Sequence, residues 1–164
     1  RADFQRYLQA QASSADRNTM VVIDRANGRA VGTCAFLRID PANGVAELGT
    51  INWSPLMKRS ALGSEAIFLM LRHLFDDLGY RRCEWKCDSL NLPSRQAAER
   101  LGFRYEGTFR QAVVVKGRTR DTDWLSIVDE EWPARRAAFA AWLSPDNIGD
   151  DGRQARQLQA FRRE

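Results

Sequence analysis

The sequence VAELGTINW at residues 45–53 is followed by SPLM and then by KRSALGSEA at residues 58–66. The first stretch predicts a strand, and the last one opens a long amphipathic helix. Backbone N–H groups at the start of a helix have no partners within the helix, and the helix dipole adds positive potential there. A strand that runs into a helix in this way predicts a binding site for an anion.

The side chains at the helix start favour a phosphate as that anion. The small residues Ala61, Gly63 and Ser64 allow a phosphate to approach the N–H groups closely. Lys58 and Arg59 add positive charge at the same place. The stretch therefore predicts a phosphorylated cofactor.

Outward from this stretch, the periodicity predicts an α/β fold with a mixed sheet. Two strands precede it, joined by the hairpin signal Asn27-Gly28, and form an antiparallel meander with the strand at 45–53. A helix from about Gly63 to Leu78 leads to an alternating strand at Arg82 to Asp88, which predicts a right-handed parallel crossover. The remaining predicted elements are a helix at Phe4 to Ala12, the two early strands at Thr19 to Asp24 and Arg29 to Ile39, a short helix between Asn91 and Gly102, a hairpin of strands at Phe103 to Val115 and Thr119 to Val128, and a helix capped by Asp129 and anchored by Trp132, Phe139 and Trp142.

The domain organisation follows from the same pass along the chain. Residues 1–143 are expected to form one domain, and the polar residues 144–164 are expected to form a loosely held tail with a short helix near Leu158 and Phe161. The chain has 164 residues, which suits one domain with a substantial core.

Composition excludes several classes of function. No apolar run approaches the roughly 20 residues that span a bilayer, so no membrane partner is expected. The net charge of +4 suits an anionic ligand, but basic and acidic residues are interleaved, which favours a mixed solvated surface over a nucleic-acid site. Three scattered cysteines indicate a reducing cytoplasm and lack partners at metal spacing, so no metal is expected. The only histidine, His73, lies in the middle of a helix, which disfavours a histidine base.

The order of these elements resembles the GNAT N-acetyltransferase superfamily, which binds acetyl-CoA. Four stretches resemble its RimJ/RimL-like branch of ribosomal-protein acetyltransferases: GTINWSP at 49–55, GYRRCEWKCDSLN at 79–91, RLGFRYEGTFR at 100–110 and KGRTRDTDW at 116–124. The resemblance covers about Val22 to Trp142. The family normally has a strand and a helix before the first helix predicted here, and the resemblance implies that these are missing or incomplete.

The resemblance also implies how acetyl-CoA is held. Its diphosphate is expected on the loop formed by Lys58, Arg59, Ser60, Ala61, Leu62, Gly63 and Ser64. The family's loop usually has Gln or Arg where Lys58 stands and Gly where Ala61 stands, so binding is expected to be weaker. The strands ending at Trp53 and Asp88 are expected to splay apart. Pantetheine would pair with the backbone of Ile51, Asn52 and Trp53, and Asn91 is either a ligand to the cofactor or a plain loop residue ahead of a helix.

The reaction that the resemblance implies is direct attack of an amine on the thioester of acetyl-CoA, and it requires the neutral form of the amine. This favours an α-amino group with a pKa near ~8 over a lysine with a pKa near ~10.4. Glu47 is the candidate base, acting directly or through water, because strict alternation puts it on one face with Ile51 and Trp53. The alternative is that the strand twists or bulges at Gly49 and that Glu47 faces solvent or pairs with an arginine.

Many family members use a tyrosine as proton donor to the leaving thiolate, at the position where this chain has Ala98. Ser94 is the candidate substitute, and its alternative role is a helix-capping hydroxyl. Backbone N–H groups near Ile51 and Asn52 are expected to stabilise the oxyanion. Transfer through a cysteine is disfavoured because all three cysteines lie in predicted strands.

The acceptor amine stays open at this point. The branch resemblance favours a protein N-terminal α-amine, and the alternatives are a polyamine, an amino sugar or an amino acid. Glu106, Asp121 and Asp123 either line an entrance for a cationic amine or are solvated and salt-bridged. A non-catalytic CoA-binding regulatory domain is a second class of function. The resembling branch includes monomers and homodimers.

Overall fold

The computed structural model describes residues 2–57, 60–150 and 153–162. The strands in these residues are β1 (Arg17–Asp24), β2 (Arg29–Asp40), β3 (Val45–Trp53), β4 (Arg82–Asp88), β5 (Arg104–Val115) and β6 (Arg118–Val128). The helices are α1 (Ala2–Ala12), α2 (Ala61–Arg72), α3 (Leu92–Leu101) and α4 (Trp132–Leu143). Lys58 and Arg59 lie outside the described residues.

The strands form one mixed sheet in the order β1-β2-β3-β4-β6-β5. The β1–β2 and β2–β3 pairs are antiparallel, the β3–β4 pair is parallel, and the β4–β6 and β5–β6 pairs are antiparallel. This confirms the predicted α/β fold with a meander, a parallel crossover through α2 and a C-terminal hairpin and helix.

The parallel ladder between β3 and β4 is short. It joins Val45 to Arg82, Ala46 to Cys83 and Glu47 to Glu84, and no pairing continues beyond Glu47 in β3. On its other side β3 stays paired with β2 as far as Trp53. The two central strands therefore splay apart towards their carboxyl ends, as the family resemblance implied.

A bulge interrupts β3 at the start of the splay. Ala35 of β2 pairs with Gly49 and Thr33 pairs with Asn52, so β3 contains an extra residue, and Thr50 has a φ of +48°. A bulge of this kind reverses which side chains face the core. Ala46 and Leu48 before the bulge belong to the core, and Ile51 and Trp53 after it pack against that same core. The prediction that Glu47 shares a face with Ile51 and Trp53 is therefore wrong.

The main core lies between the sheet and the helices α2, α3 and α4. Trp132 of α4 stacks on Phe75, and Phe139 stacks on Phe68 of α2. Trp132, Phe139 and Trp142 are all buried, which confirms them as the anchors of the last helix. The predicted cap of this helix is wrong: Glu131, not Asp129, precedes its first turn.

The C-terminal segment packs on the core in its described part. Leu158 is buried, and it lies in the short helical turn Leu158–Phe161. The buried Asn147 side chain donates to the Trp142 carbonyl oxygen at 2.9 Å and accepts from the Arg156 N–H at 3.0 Å. The expectation of a loosely held tail is wrong for these residues, because Leu158 and Phe161 pack against the core although the segment is polar overall.

Candidate active site

Two neighbouring cavities lie where β3 and β4 splay, and they share part of their lining. The helix cavity, of about 790 Å³, is bounded by α2, α3 and the end of β3. The strand cavity, of about 290 Å³, is bounded by the bulge of β3, the end of β4 and Arg120 of β6. Both cavities are lined by Ile51, Trp85, Asn91 and Ser94. We call these four shared residues the junction of the two cavities. A ligand in either cavity can contact them.

The first turn of α2 forms one wall of the helix cavity. Ser60, Gly63 and Ser64 line it, whereas Ala61 and Leu62 turn to the apolar clusters on either side. The Ser60 hydroxyl donates to the Met57 carbonyl oxygen at 2.9 Å and makes no hydrogen bond that caps the helix. The first N–H groups of α2 thus lack intrahelical partners beside a cavity, which is the geometry of an anion site.

Gly63 packs against the end of β3. A Cβ atom at this position would be in ordinary van der Waals contact with Trp53 Nε1 at 3.4 Å and with the Met57 carbonyl oxygen at 3.6 Å. Packing against these two residues therefore does not by itself require a glycine. The predicted loop residues Lys58 and Arg59 lie outside the described part of the chain.

Arg100 is a cavity residue that the sequence interpretation missed. It lies on α3, lines the helix cavity, and donates from Nη1 to the Ser64 hydroxyl of α2 at 3.1 Å. Burial lowers the pKa of this guanidinium. The spacing gave no signal, because six residues along an α-helix leave Arg100 about 120° around the axis from Ser94. Nothing in the sequence indicated that its partner would be Ser64.

A second half-buried arginine, Arg162, lies near enough to Arg100 for their charges to interact. Arg162 donates from Nη1 to the Glu99 carbonyl oxygen at 2.9 Å. Burial, followed by the nearby charges of Arg135 and Arg100, lowers the pKa of Arg162. The end of α3 therefore has a positive potential that favours an anion.

Three of the predicted cofactor residues on β3 divide between two surfaces. Ile51 and Trp53 line the helix cavity. Asn52 is exposed, and it lines a separate groove of about 950 Å³ between α1 and the strands β1 to β3. Because β4 does not pair with β3 beyond Glu47, the backbone of β3 that faces the splay has no strand partner on that side.

Asn91 is the N-terminal cap of α3 and also lines both cavities. Its side-chain oxygen accepts from the Ser94 N–H at 3.2 Å. The capping role considered for the Ser94 hydroxyl is therefore filled by Asn91. The Asn91 side chain holds the start of α3 at the junction of the two cavities.

The Ser94 hydroxyl lies at the junction itself. Its oxygen accepts from Trp85 Nε1 at 3.1 Å. Because an indole N–H only donates, the Ser94 hydroxyl can donate its own proton, and the Cys87 sulfur is one acceptor within its reach. Burial raises the pKa of the nearby Cys87 thiol, and a hydrogen bond with Ser94 partly opposes this rise.

The Glu47 carboxylate forms an ion pair rather than standing alone on an apolar face. Its Oε2 lies 3.0 Å from Lys86 Nζ, and Glu84 Oε2 lies 2.9 Å from the same nitrogen. The Trp124 ring centroid lies 3.7 Å from that nitrogen. Lys86 lines the strand cavity, whereas Glu47 lines neither cavity. Glu47 thus contacts the lining of the strand cavity through its ion pair with Lys86.

The carboxylates considered for an amine entrance are all occupied. Arg82 binds both oxygens of Glu106 at 2.7 Å and holds the pKa of that carboxyl at about 2. Asp121 accepts from the Gln111 N–H at 2.7 Å. Asp123 is buried and accepts from Thr108 and Arg95. Glu106 and Asp123 are thus salt-bridged, whereas Asp121 is held by a backbone hydrogen bond.

The remaining candidate groups lie within the core. Ala98 is fully buried at the position where many family members have a tyrosine. Cys34, Cys83 and Cys87 are free and buried, and burial raises the pKa of Cys34 to about 11. In the described ranges, no group of three or more His, Cys, Asp or Glu residues is arranged to hold a metal ion. No helix among the described residues has both the length and the apolar character that a bilayer span requires.

Comparison with known proteins agrees with this geometry. The family described as acetyltransferase (GNAT) domain matches residues 1–104. The chain therefore belongs to the GNAT acetyltransferase family. A GCN5-related N-acetyltransferase from Brucella melitensis has 52% identity and a TM-score of 0.93, with 98% of this chain and 72% of that chain covered.

Two further relatives are more distant. The N-acetyltransferase p20 of Bacillus licheniformis is 31% identical over 70% of this chain, and the chain spans 64% of the length of that relative. A probable acetyltransferase of the GNAT family from Chromobacterium violaceum is 44% identical, with a TM-score of 0.76 and with 80% of this chain and 66% of that chain covered.

Proposed function

We propose that this chain transfers an acetyl group from acetyl-CoA directly to the α-amino group of an acceptor, with both substrates bound at once. The observation that supports this most is the meeting of the helix cavity and the strand cavity at Ile51, Trp85, Asn91 and Ser94. Each cavity admits one substrate, and the shared residues are where a thioester and an amine would react. Direct transfer needs no covalent enzyme intermediate, and the buried cysteines agree with that route.

The residues of the helix cavity fit acetyl-CoA. The first turn of α2 offers backbone N–H groups to the diphosphate, and the half-buried Arg100 of α3, which lines the same cavity, supplies a cation. The unpaired edge of β3 offers backbone groups to the amides of pantetheine. Acetyl-CoA supplies a thioester whose carbonyl carbon is open to attack by a neutral amine. Ser94 would donate a proton to the departing sulfur.

Proton removal from the amine is the weaker half of this site. Glu47 is separated from the strand cavity by Lys86, so we propose that it accepts the proton through water. An α-amino group has a pKa near ~8 and is partly neutral without help, whereas a lysine or polyamine nitrogen near ~10.4 is not. A site with an indirect base therefore suits an α-amine.

An α-amine has two natural sources, a protein N-terminus and a free amino acid. The RimJ/RimL-like resemblance of the stretches at 79–91 and 100–110 supports a protein N-terminus. The small volume of the strand cavity, about 290 Å³, supports a small acceptor. We also expect a cytoplasmic location, because the three cysteines are free, and a monomer or homodimer.

An acetyl-transfer assay across amine classes tests the proposed function. The protein is supplied with acetyl-CoA and, in separate reactions, with amino acids, a peptide with a free N-terminus, an N-blocked peptide that carries one lysine, and spermidine. We expect release of CoA with the amino acids or the free peptide, and at least about tenfold less with the N-blocked peptide and spermidine. Faster transfer to the lysine or spermidine nitrogens would contradict an α-amine acceptor.

A further inference from the structure

Arg120 presents an incompletely paired guanidinium to the strand cavity. Its Nε is buried and has no hydrogen-bond partner among the described residues. Its nearest carboxylate is Asp88, whose Oδ2 lies 3.9 Å from Nε, beyond hydrogen-bonding distance. An unsatisfied buried donor is destabilising, so its presence at a cavity wall calls for a ligand that completes it.

The other charged groups at this cavity are already committed. Lys86 is held between Glu47 and Glu84, so its charge is balanced before any acceptor arrives. Asp88 accepts from the Leu90 N–H at 2.9 Å through Oδ1 and stabilises the turn that leads to α3. Arg120 forms an ion pair with Asp88 that is too long for a hydrogen bond, and its side chain is 31% exposed, so it keeps hydrogen-bonding capacity for an acceptor in this cavity.

A guanidinium recognises a carboxylate through two parallel hydrogen bonds, and it repels a second cation. The cavity also places Arg120 beside Asn91 and Ser94, which border the junction. A small molecule that carries an amine and a carboxylate can therefore reach the junction with its amine while its carboxylate contacts Arg120. A polyamine would place a second positive charge against Arg120.

We propose that Arg120 binds the carboxylate of the acceptor, and that the acceptor is a small amine of the amino-acid type. This inference rests on the proposed acetyl transfer to an α-amine and specifies its substrate class. Arg120 is here a specificity residue, because it contacts the acceptor at a group other than the reacting amine. A peptide with an acidic first residue carries the same chemistry and is a competing source of the carboxylate.

A competition assay tests the substrate class. A mixture of free amino acids, the matching mixture of amino-acid amides, and peptides that begin with Asp or Ala compete for acetyl-CoA in one reaction, and mass spectrometry measures the acetylated products. For the unaltered protein we expect the acids to exceed the amides by about tenfold, which corresponds to about 1.4 kcal/mol. Arg120→Gln should reduce this ratio to about one, since the amide loses no ion pair.

A matched variant separates the site from net charge. Arg118 is exposed on the same strand and does not line the cavity, so Arg118→Gln should keep the preference for acids. Equal acetylation of acids and amides by the unaltered protein would overturn the proposal, as would an Arg120→Gln variant that keeps the preference. A preference for the Asp peptide over the free amino acids would overturn the small-acceptor part.

A second readout does not depend on turnover. Phenylglyoxal labels accessible arginines, and digestion followed by mass spectrometry reports the labelling of Arg120 in the CoA-loaded protein. N-acetylated amino acids should slow this labelling, and the corresponding N-acetylated amides should not. If acetyl-CoA binds but no amine is acetylated, the proposed function fails, while protection of Arg120 still supports the carboxylate site. Equal labelling with acids and amides would overturn it.

Discussion

The Ser94 hydroxyl accepts a hydrogen bond from the Trp85 indole and can donate its own proton at the junction of the two cavities, where Cys87 is its present partner. This arrangement supplies a donor on a chain that has Ala98 where many family members have tyrosine. Ser94→Ala should lower kcat by about 100-fold, the usual size of a general-acid contribution. Steady-state kinetics against an amine that is turned over measures this loss.

The control for that variant is a hydroxyl with a comparable structural role elsewhere. Ser126 is buried and donates to Glu106 Oε1 at 2.5 Å, away from both cavities. Each substitution removes one buried hydrogen bond and should destabilise the protein by about 1 kcal/mol. A similar fall in kcat for Ser126→Ala and Ser94→Ala would reduce Ser94 to a structural residue.

Glu47→Gln tests the proposed water-mediated base. The substitution keeps the shape of the side chain, so the affinity for acetyl-CoA should change by less than about twofold. The rate should fall by about 10-fold or more near pH 6.5 and by much less near pH 9, because an α-amine with a pKa near ~8 is largely neutral at the higher pH. Rate measurements across that range give the comparison.

Glu84→Gln is the matched control, because Glu84 binds the same Lys86 nitrogen and also contacts Arg82. It should not produce the same pH-dependent loss. If both variants slow the reaction equally at every pH, Glu47 acts only by holding Lys86.

Neither the direction of the Glu47 side chain nor its partner Lys86 was predicted from the sequence. The alternation of 45–53 predicted Glu47 on a face with Ile51, and the bulge at Thr50 changed that face. Threonine rarely adopts a positive φ, so the residue type at position 50 gave no signal that the bulge lies there. The bulge is set by pairing with β2, and the partner of Glu47 lies 39 residues further along the chain.

At the scale of elements, α2 and α3 are tied together beside the helix cavity by Arg100 and Ser64. Among the described residues, no carboxylate is paired with this half-buried guanidinium. Because a cation that is partly buried without a counterion is costly, Arg100→Met should leave the melting temperature unchanged or raise it. The same variant should weaken acetyl-CoA binding by about tenfold.

Calorimetry with acetyl-CoA and thermal unfolding of the same sample measure both effects. Arg104 is exposed, so Arg104→Met is a control of equal charge change and should leave the affinity unchanged. A variant at Arg100 that binds acetyl-CoA normally would exclude Arg100 from the cofactor site. One that merely unfolds would show that Arg100 joins the two helices and does nothing else.

The elements themselves were well predicted where their signals are local. β3 and β4 have the predicted bounds, and Gly102 ends α3 with a φ of +104°. The end of α2 differs from the prediction, since the α-helical geometry ends at Arg72 and the chain continues as a π-helical turn from His73 to Asp77. The apolar spacing of residues 66–78 is compatible with both geometries, so it could not distinguish them.

At the scale of the whole molecule, function depends on a gap between strands rather than on any one motif. The order of elements predicted that gap through the family resemblance, and the three-position ladder between β3 and β4 agrees with it. The sequence did not predict the strand cavity or the position of Arg120 in its wall. Arg120 lies 32 residues beyond Asp88, and only the antiparallel pairing of β4 with β6 brings the two together.

A crystal structure of the protein with CoA supplied at about 1 mM tests most directly whether the helix cavity holds the coenzyme, since that concentration reaches the upper end of common substrate affinities. We expect the diphosphate at the first turn of α2, between Ser60 and Ser64, and the sulfur between Ile51 and Ser94. Coenzyme bound in the groove beside α1, or absent from well-folded protein at that concentration, would contradict it.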